Sequence, residues 1–270
     1  MRLKTLLLLV LPLLVSGCGG GGSNSNNATP STPNPGPLSG NWQMTFQSAN
    51  THLKPWSQSG FLLEEKNAIS GGVILSPPGC AGLGNVTGTA SGTSIILTVS
   101  PVGLVVTETG TLGADQSSMS GTYTMLAAGC PSNLNDPQSG TWTANQVKPI
   151  QGNLQGTFQS TQPNATPVTI SGKVAQGQQT AGSSFAPLSG SVTATNYCFD
   201  TANYSGTISG TAVVLNLQNA DGTQLGQVSG ALSLDGASLN GKFFILAQGP
   251  NGNKPCRSGD LGTATLTVGP

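Results

Sequence analysis

Charge is what this chain has least of. Only 7% of its 270 residues are charged, nine basic against nine acidic, so the formal net charge is zero. No basic face is available to neutralise phosphates, which excludes nucleic acid as an expected partner. No block of one sign forms an electrostatic tail. Histidine occurs once, at His52 in a loop beside Lys54 and Pro55, where a surface role is expected. No Cys-x-x-Cys pair occurs, so no metal site is expected. Catalytic signatures are missing as well. There is no Gly-x-Ser-x-Gly elbow. Glu64 and Glu65 are adjacent on a strand, point to opposite faces and make no acid/base pair. "GASLNGKF" at 236–243 approaches a phosphate loop, but Phe243 replaces the Ser/Thr and the segment runs from a hairpin into a strand. Without an activated nucleophile, base or metal, neither catalysis nor a cofactor is expected.

What the chain does have is glycine, 39 residues of it, with Ser, Thr, Asn and Gln in the surface role that charged residues usually fill. Abundant Thr, Val and Leu, with no Ala/Glu/Lys-rich stretch, point to an all-β protein. The N-terminus is different. Arg2 and Lys4 precede an apolar run from Leu6 to Val15. That run is short of the roughly 20 residues that span a bilayer, but it suits a signal peptide. It leads through Val15, Ser16 and Gly17 into Cys18. This stretch resembles the lipobox of bacterial lipoproteins, with Val15 where the family favours Leu. The resemblance implies cleavage after residue 17, diacylglyceryl transfer to the Cys18 thiolate and acylation of the new amine. It also implies an outer-membrane location through a lipid anchor. Several acyl chains hold a protein where one would not. Residues 19–37, "GGGGSNSNNATPSTPNPGP", cannot bury apolar area and read, with Cys18, as a disordered tether over 18–37. Its r.m.s. reach is about 24 Å.

The remainder reads as a tandem duplication, 38–148 and 150–270, with the boundary near Lys148-Pro149. "LSGNWQ" at 38–43 is matched with "LQGTFQ" at 154–159, and "TGTASGTSIILTV" at 87–99 with "SGTISGTAVVLNL" at 205–217. "TLGADQSSMSGTY" at 111–123 is matched with "ALSLDGASLNGKF" at 231–243, and "SGTWTA" at 139–144 with "LGTATL" at 261–266. Within a copy the period is two: Trp42, Met44 and Phe46 share a face, as do Ile95, Leu97 and Val99. In the first copy this predicts strands at about 41–48, 59–66, 68–75, 84–91, 93–100, 103–112, 118–126 and 139–146. Eight short antiparallel strands fit a small up-and-down barrel that holds side chains or one ligand. The alternative is a pair of β-sandwich domains. No Trp lies between Cys80 and Cys130, as an immunoglobulin-like sandwich would want.

Gly40-Asn41-Trp42 resembles the opening Gly-X-Trp of lipocalins and the similar start of avidin-like barrels. The resemblance implies that Trp42, and Phe158 in the second copy, seal their barrels. An exported chain with Cys80 and Cys130 in one copy, and Cys198 and Cys256 in the other, is expected to form one disulfide per copy. In a meander these cysteines share one barrel end with the long connections. The ligand candidates lie there too: Trp56 in the first copy, and Tyr197, Phe199 and Tyr204 around Cys198. Glu108 is a further candidate, since it keeps the phase of Leu104 and Val106. A buried unpaired carboxylate is costly, so a bulge near Gly110 that turns it outward is the expected arrangement. The expected function is a non-enzymatic envelope lipoprotein that binds a small apolar ligand, a glycan or a protein partner. The alternative is a structural or adhesive surface lipoprotein with solid barrels.

Overall fold

Alternation along the strands builds the architecture directly. On Gly40–Ser48 the side chains of Trp42, Met44 and Phe46 are buried while Thr45 and Gln47 are exposed, the pattern of a strand with one face on a core. In the computed structural model, which describes residues 35–77, 80–101, 103–127, 138–195, 197–246 and 259–270, this pattern recurs through sixteen strands. The first eight are β1 (Gly40–Ser48), β2 (Trp56–Glu65), β3 (Ala68–Leu75), β4 (Gly82–Ser91), β5 (Ser94–Pro101), β6 (Leu104–Leu112), β7 (Ser118–Ala127) and β8 (Gln138–Val147). The second eight are β9 (Gln151–Ser160), β10 (Val168–Gln176), β11 (Ala186–Ala194), β12 (Thr201–Ser209), β13 (Ala212–Gln218), β14 (Gln224–Leu232), β15 (Ser238–Ile245) and β16 (Asp260–Gly269).

Each set closes into an antiparallel barrel, β1 pairing with β8 and β9 with β16. The all-β, tandem up-and-down reading therefore holds, and the sandwich alternative falls. Closure leaves neither sheet with an exposed edge.

Glycine makes the interiors fit. Trp142 lies over Gly110 and pairs with Gly121, its ring 2.7 Å from where a Gly110 Cβ would sit. Tyr204 lies over Gly190 in the second barrel, its hydroxyl 2.5 Å from the corresponding point. Large side chains set against small ones on neighbouring strands are how a narrow barrel accommodates its interior.

The ladders also correct the match between the copies. Phe46 pairs with Trp142, and Phe158 pairs with Ala264. Since 139–144 matches 261–266, the equivalent of Phe158 is Phe46, and that of Trp42 is Leu154. The true match is "GNWQMTFQS" at 40–48 with "GNLQGTFQS" at 152–160. The expected pairing of "LSGNWQ" with "LQGTFQ" was displaced by one turn of the Gly/Gln pattern. Trp42 is nonetheless fully buried, and its Nε1 donates to the Leu38 carbonyl at 2.8 Å.

The two barrels are docked through the outer wall of β1–β3. The Asn41 amide brackets the Gly210 turn, accepting from Gly210 N at 2.6 Å and donating to Gly210 O at 2.8 Å. Gln43 Oε1 accepts from Thr211 N at 3.2 Å. Phe61 points out of the first barrel yet is 4% exposed, because it joins the core of the second. Gly72 allows the backbone at Gly182–Ser184 to approach. Replacing Asn41 with Ala leaves a buried N–H and C=O of Gly210 unpaired. Asn41→Ala is expected to cost about 2 kcal/mol, read as a lower urea midpoint.

Candidate functional site

A closed barrel gives a polar inward side chain no water, so each one needs a partner from the walls. In the first barrel four do not find enough. β2 directs Trp56 and Gln58 inward, β6 directs Glu108 and β7 directs Tyr123. Trp56 Nε1, Gln58 Oε1, both Glu108 carboxyl oxygens and Tyr123 Oη are buried without a hydrogen-bond partner. Gln58 Nε2 donates to Met44 Sδ at 3.2 Å, and a thioether is a weak acceptor.

Glu108 is fully buried, which overturns the expected outward bulge. The ladder runs without interruption: Gly110 pairs with Ile95 on one side and Gly121 on the other, while Glu108 pairs with Leu97 and Tyr123. With the phase of Leu104 and Val106 kept, the carboxyl enters the barrel. Burial pushes it up to about 8, and the nearby Gln58 offsets this only in part.

Aromatic rings surround the group. Phe46 stacks on Trp56 with centroids 3.8 Å apart and planes 9° from parallel. Tyr123 stands edge-on to both, at 5.2 Å from Phe46 and 5.7 Å from Trp56. Trp142 closes the layer behind Phe46 and satisfies its own Nε1 on the Thr122 carbonyl at 3.1 Å.

The second barrel keeps an aromatic layer, Phe158 stacked on Phe243 at 4.7 Å with Tyr197 edge-on to both, but not the unpaired polar groups. Register places Val168 opposite Phe158 where Trp56 stands opposite Phe46, and Ile170 opposite Gly156 where Gln58 stands opposite Met44. Val228 paired with Phe243 takes the place of Glu108 paired with Tyr123. All four polar positions of the first copy are apolar in the second.

The other sequence candidates lie in that second barrel, separate from Trp56 and fully packed. Tyr197, Phe199 and Tyr204 are each at most 4% exposed. Tyr197 donates to Asp260 Oδ2 at 2.7 Å, and Tyr204 donates to the Lys173 carbonyl at 2.7 Å. They plug the barrel, leaving no hydroxyl free for a ligand. Cys80 is half-buried and Cys198 buried. Cys18, Cys130 and Cys256, and with them the lipobox and residues 18–34 of the expected tether, lie outside the described residues. The last residues of that segment are not a free tether, since Gly36 N donates to the Glu64 carbonyl at 3.1 Å. His52 is exposed. Glu64 is buried away from Glu65, its Oε2 accepting from Leu38 N at 3.1 Å. No group of three or more His, Cys, Asp or Glu suited to a metal occurs among the described residues.

Gln58 and Tyr123 were missed in the sequence. The signal was present: Gln58 continues the inward phase of Trp56, and Tyr123 aligns with Phe243. For Gln58, comparison with the second copy required the β1–β9 match that the displaced alignment hid; for Tyr123 the match of 111–123 with 231–243 already carried it.

Fold and interior together define a tandem small-barrel protein with one polar-lined and one apolar-lined barrel. No family model and no curated protein matches the chain. Among solved structures, kievitone hydratase from Nectria haematococca is similar at 10% identity, over 90% of this chain and 94% of that one. Its TM-score of 0.26 is too low to carry over a fold or an activity.

Glu108 makes stability pH-dependent with a definite sign. An unfolded glutamate titrates near 4.5 and the folded one near 8. Between those values the folded state holds the proton and the unfolded state has lost it, so stability falls as pH rises across the window. Asp115, Asp221 and Asp235 are held low by their turn hydrogen bonds and titrate below it. The urea midpoint is expected to drop from pH 5 to pH 8 in the native protein. In Glu108→Gln that slope should largely vanish.

Proposed function

We propose that this is a lipid-anchored envelope lipoprotein whose first barrel binds one small molecule inside its wall, while the second is a closed scaffold. The observation that carries this reading is the difference between the copies. A duplicated barrel folds with Val168, Ile170, Val228 and Phe243 inside, so the fold itself has no need of Trp56, Gln58, Glu108 and Tyr123. Unpaired buried polar groups are costly, and a bound molecule that supplies their partners accounts for keeping them. The ligand is therefore polar at one point, which sets aside the small apolar ligand among the classes expected from the sequence.

No step of this reading requires chemistry on the ligand, and we place the protein among binding modules in the manner of lipocalin-like barrels. Cys18 carries the acyl anchor, the 18–37 segment spaces the barrels from the outer membrane, and disulfides pair Cys80 with Cys130 and Cys198 with Cys256. Trp56 begins β2 at the end from which the β3–β4 connection, with Cys80, also leaves, so that end is the entry. The solid-barrel, adhesive reading applies to the second copy, whose interior is apolar and whose tyrosine hydroxyls are bonded.

Two measurements test the parts separately. Native mass spectrometry of protein taken from its own envelope should show a retained small molecule, lost on denaturation. A clean apo mass would overturn the binding reading. Cys18→Ser should abolish palmitate labelling and release the protein from membranes. Unchanged labelling would overturn the anchor.

A further inference from the structure

We propose that the molecule held in the first barrel presents an organic ammonium group, accepted by the Glu108 carboxylate and Gln58 Oε1 within the Phe46, Trp56 and Tyr123 rings. The proposal rests on the reading of this barrel as a binding compartment and adds the ligand's chemical class.

The unmet atoms set the class. With Glu108 ionised, three of them are acceptor oxygens: Gln58 Oε1 and the two of Glu108. A primary ammonium brings three N–H donors and a positive charge. An alcohol brings one donor, a hydrocarbon none, and an anion is repelled. The protein supplies no internal cation: every described lysine is exposed, and no arginine is among the described residues. The surrounding rings favour a cation further, since aromatic π systems attract ammonium groups, most strongly where water is excluded. In the second barrel Val228 and Ile170 remove all three acceptors, so one copy binds and the other does not.

The binding step balances as a proton exchange. Free, Glu108 keeps its proton at neutral pH, because burial disfavours the carboxylate. The ammonium enters charged, Glu108 ionises, and its proton leaves to solvent. No bond of the ligand breaks. Tyr123 across the β6–β7 ladder is the titratable group facing Glu108. Leu97 on β5 and Gln58 on β2 bring no charge. Affinity should therefore rise about tenfold per pH unit from pH 5 to 7 and level off near pH 8.

The test uses full-length protein in detergent, dialysed free of retained ligand, with methylammonium chloride as probe and sodium chloride at equal ionic strength as control. Tryptophan fluorescence should change saturably with methylammonium and not with sodium. In unbuffered sodium chloride held at pH 6.5 in a pH-stat, methylammonium should release close to one proton per ligand bound. Glu108→Gln should weaken binding by about a hundredfold with its far-ultraviolet spectrum unchanged, and Gln58→Met should weaken it while leaving proton release intact. Absence of saturable binding at pH 8, binding without proton release, or equal binding by Glu108→Gln overturns the ammonium site. A retained native ligand that lacks a basic nitrogen also overturns it, yet leaves the binding compartment standing. A clean apo mass strikes instead at the compartment.

Discussion

Everything in this molecule depends on closure of the two ladders, β1 to β8 and β9 to β16. A chain so poor in charge has little to defend an open sheet edge, where unpaired N–H and C=O groups invite a further strand. Closing each sheet removes that hazard but fixes the interior volume, because eight strands enclose only a narrow core. Glycine on one strand under an aromatic on the next is how the sequence meets that limit. Gly110 with Trp142 and Gly190 with Tyr204 are two instances. Among the described residues, these glycines are part of how the interior is fitted.

Strand placement was legible because period two is written plainly in both copies, and seven of the eight strands read in the first copy match in extent to within two residues at each end. β2 is the exception, beginning at Trp56 rather than near 59, since Pro55 marks its start more firmly than any change in alternation. The site was less legible. Glu108 was recognised by phase, then assigned outward by a sound general rule about buried carboxylates. The rule fails where a ligand or a proton supplies the missing partner. Regular pairing on both sides of Gly110 leaves no slack for a bulge.

Docking of the barrels was not legible at all. Asn41 and Gln43 sit at outward positions where polar residues are ordinary, and nothing in their own neighbourhood names Gly210 and Thr211 as partners. Phe61 was the one available sign, an aromatic on the solvent phase of β2. It became interpretable only when the second barrel's core was found to contain it. The equivalent turn of the first barrel, at Gly92, has nothing within 4 Å of its added Cβ, whereas that of Gly210 meets Gln43 and Ser59. The same hairpin is therefore free in one copy and an anchor in the other.

Duplication explains how a buried carboxylate is tolerated. In the second barrel the polar atoms of Tyr197 and Tyr204 are answered by the structure itself, by Asp260 and the Lys173 carbonyl. Its core extends to Val147 at the end of β8, to Ile150 in the connection and to Phe61 beyond it. That barrel is satisfied internally and grips the wall of its neighbour. The first barrel can then carry Glu108 uncharged, with four polar side chains short of partners, because part of its wall is held from outside. The cost of those unpaired groups is offset by packing elsewhere. Here the offset has an address: β1–β3, whose outer faces meet the second barrel at Asn41, Phe61 and Gly72, and whose inner faces present Trp56 and Gln58 to Glu108.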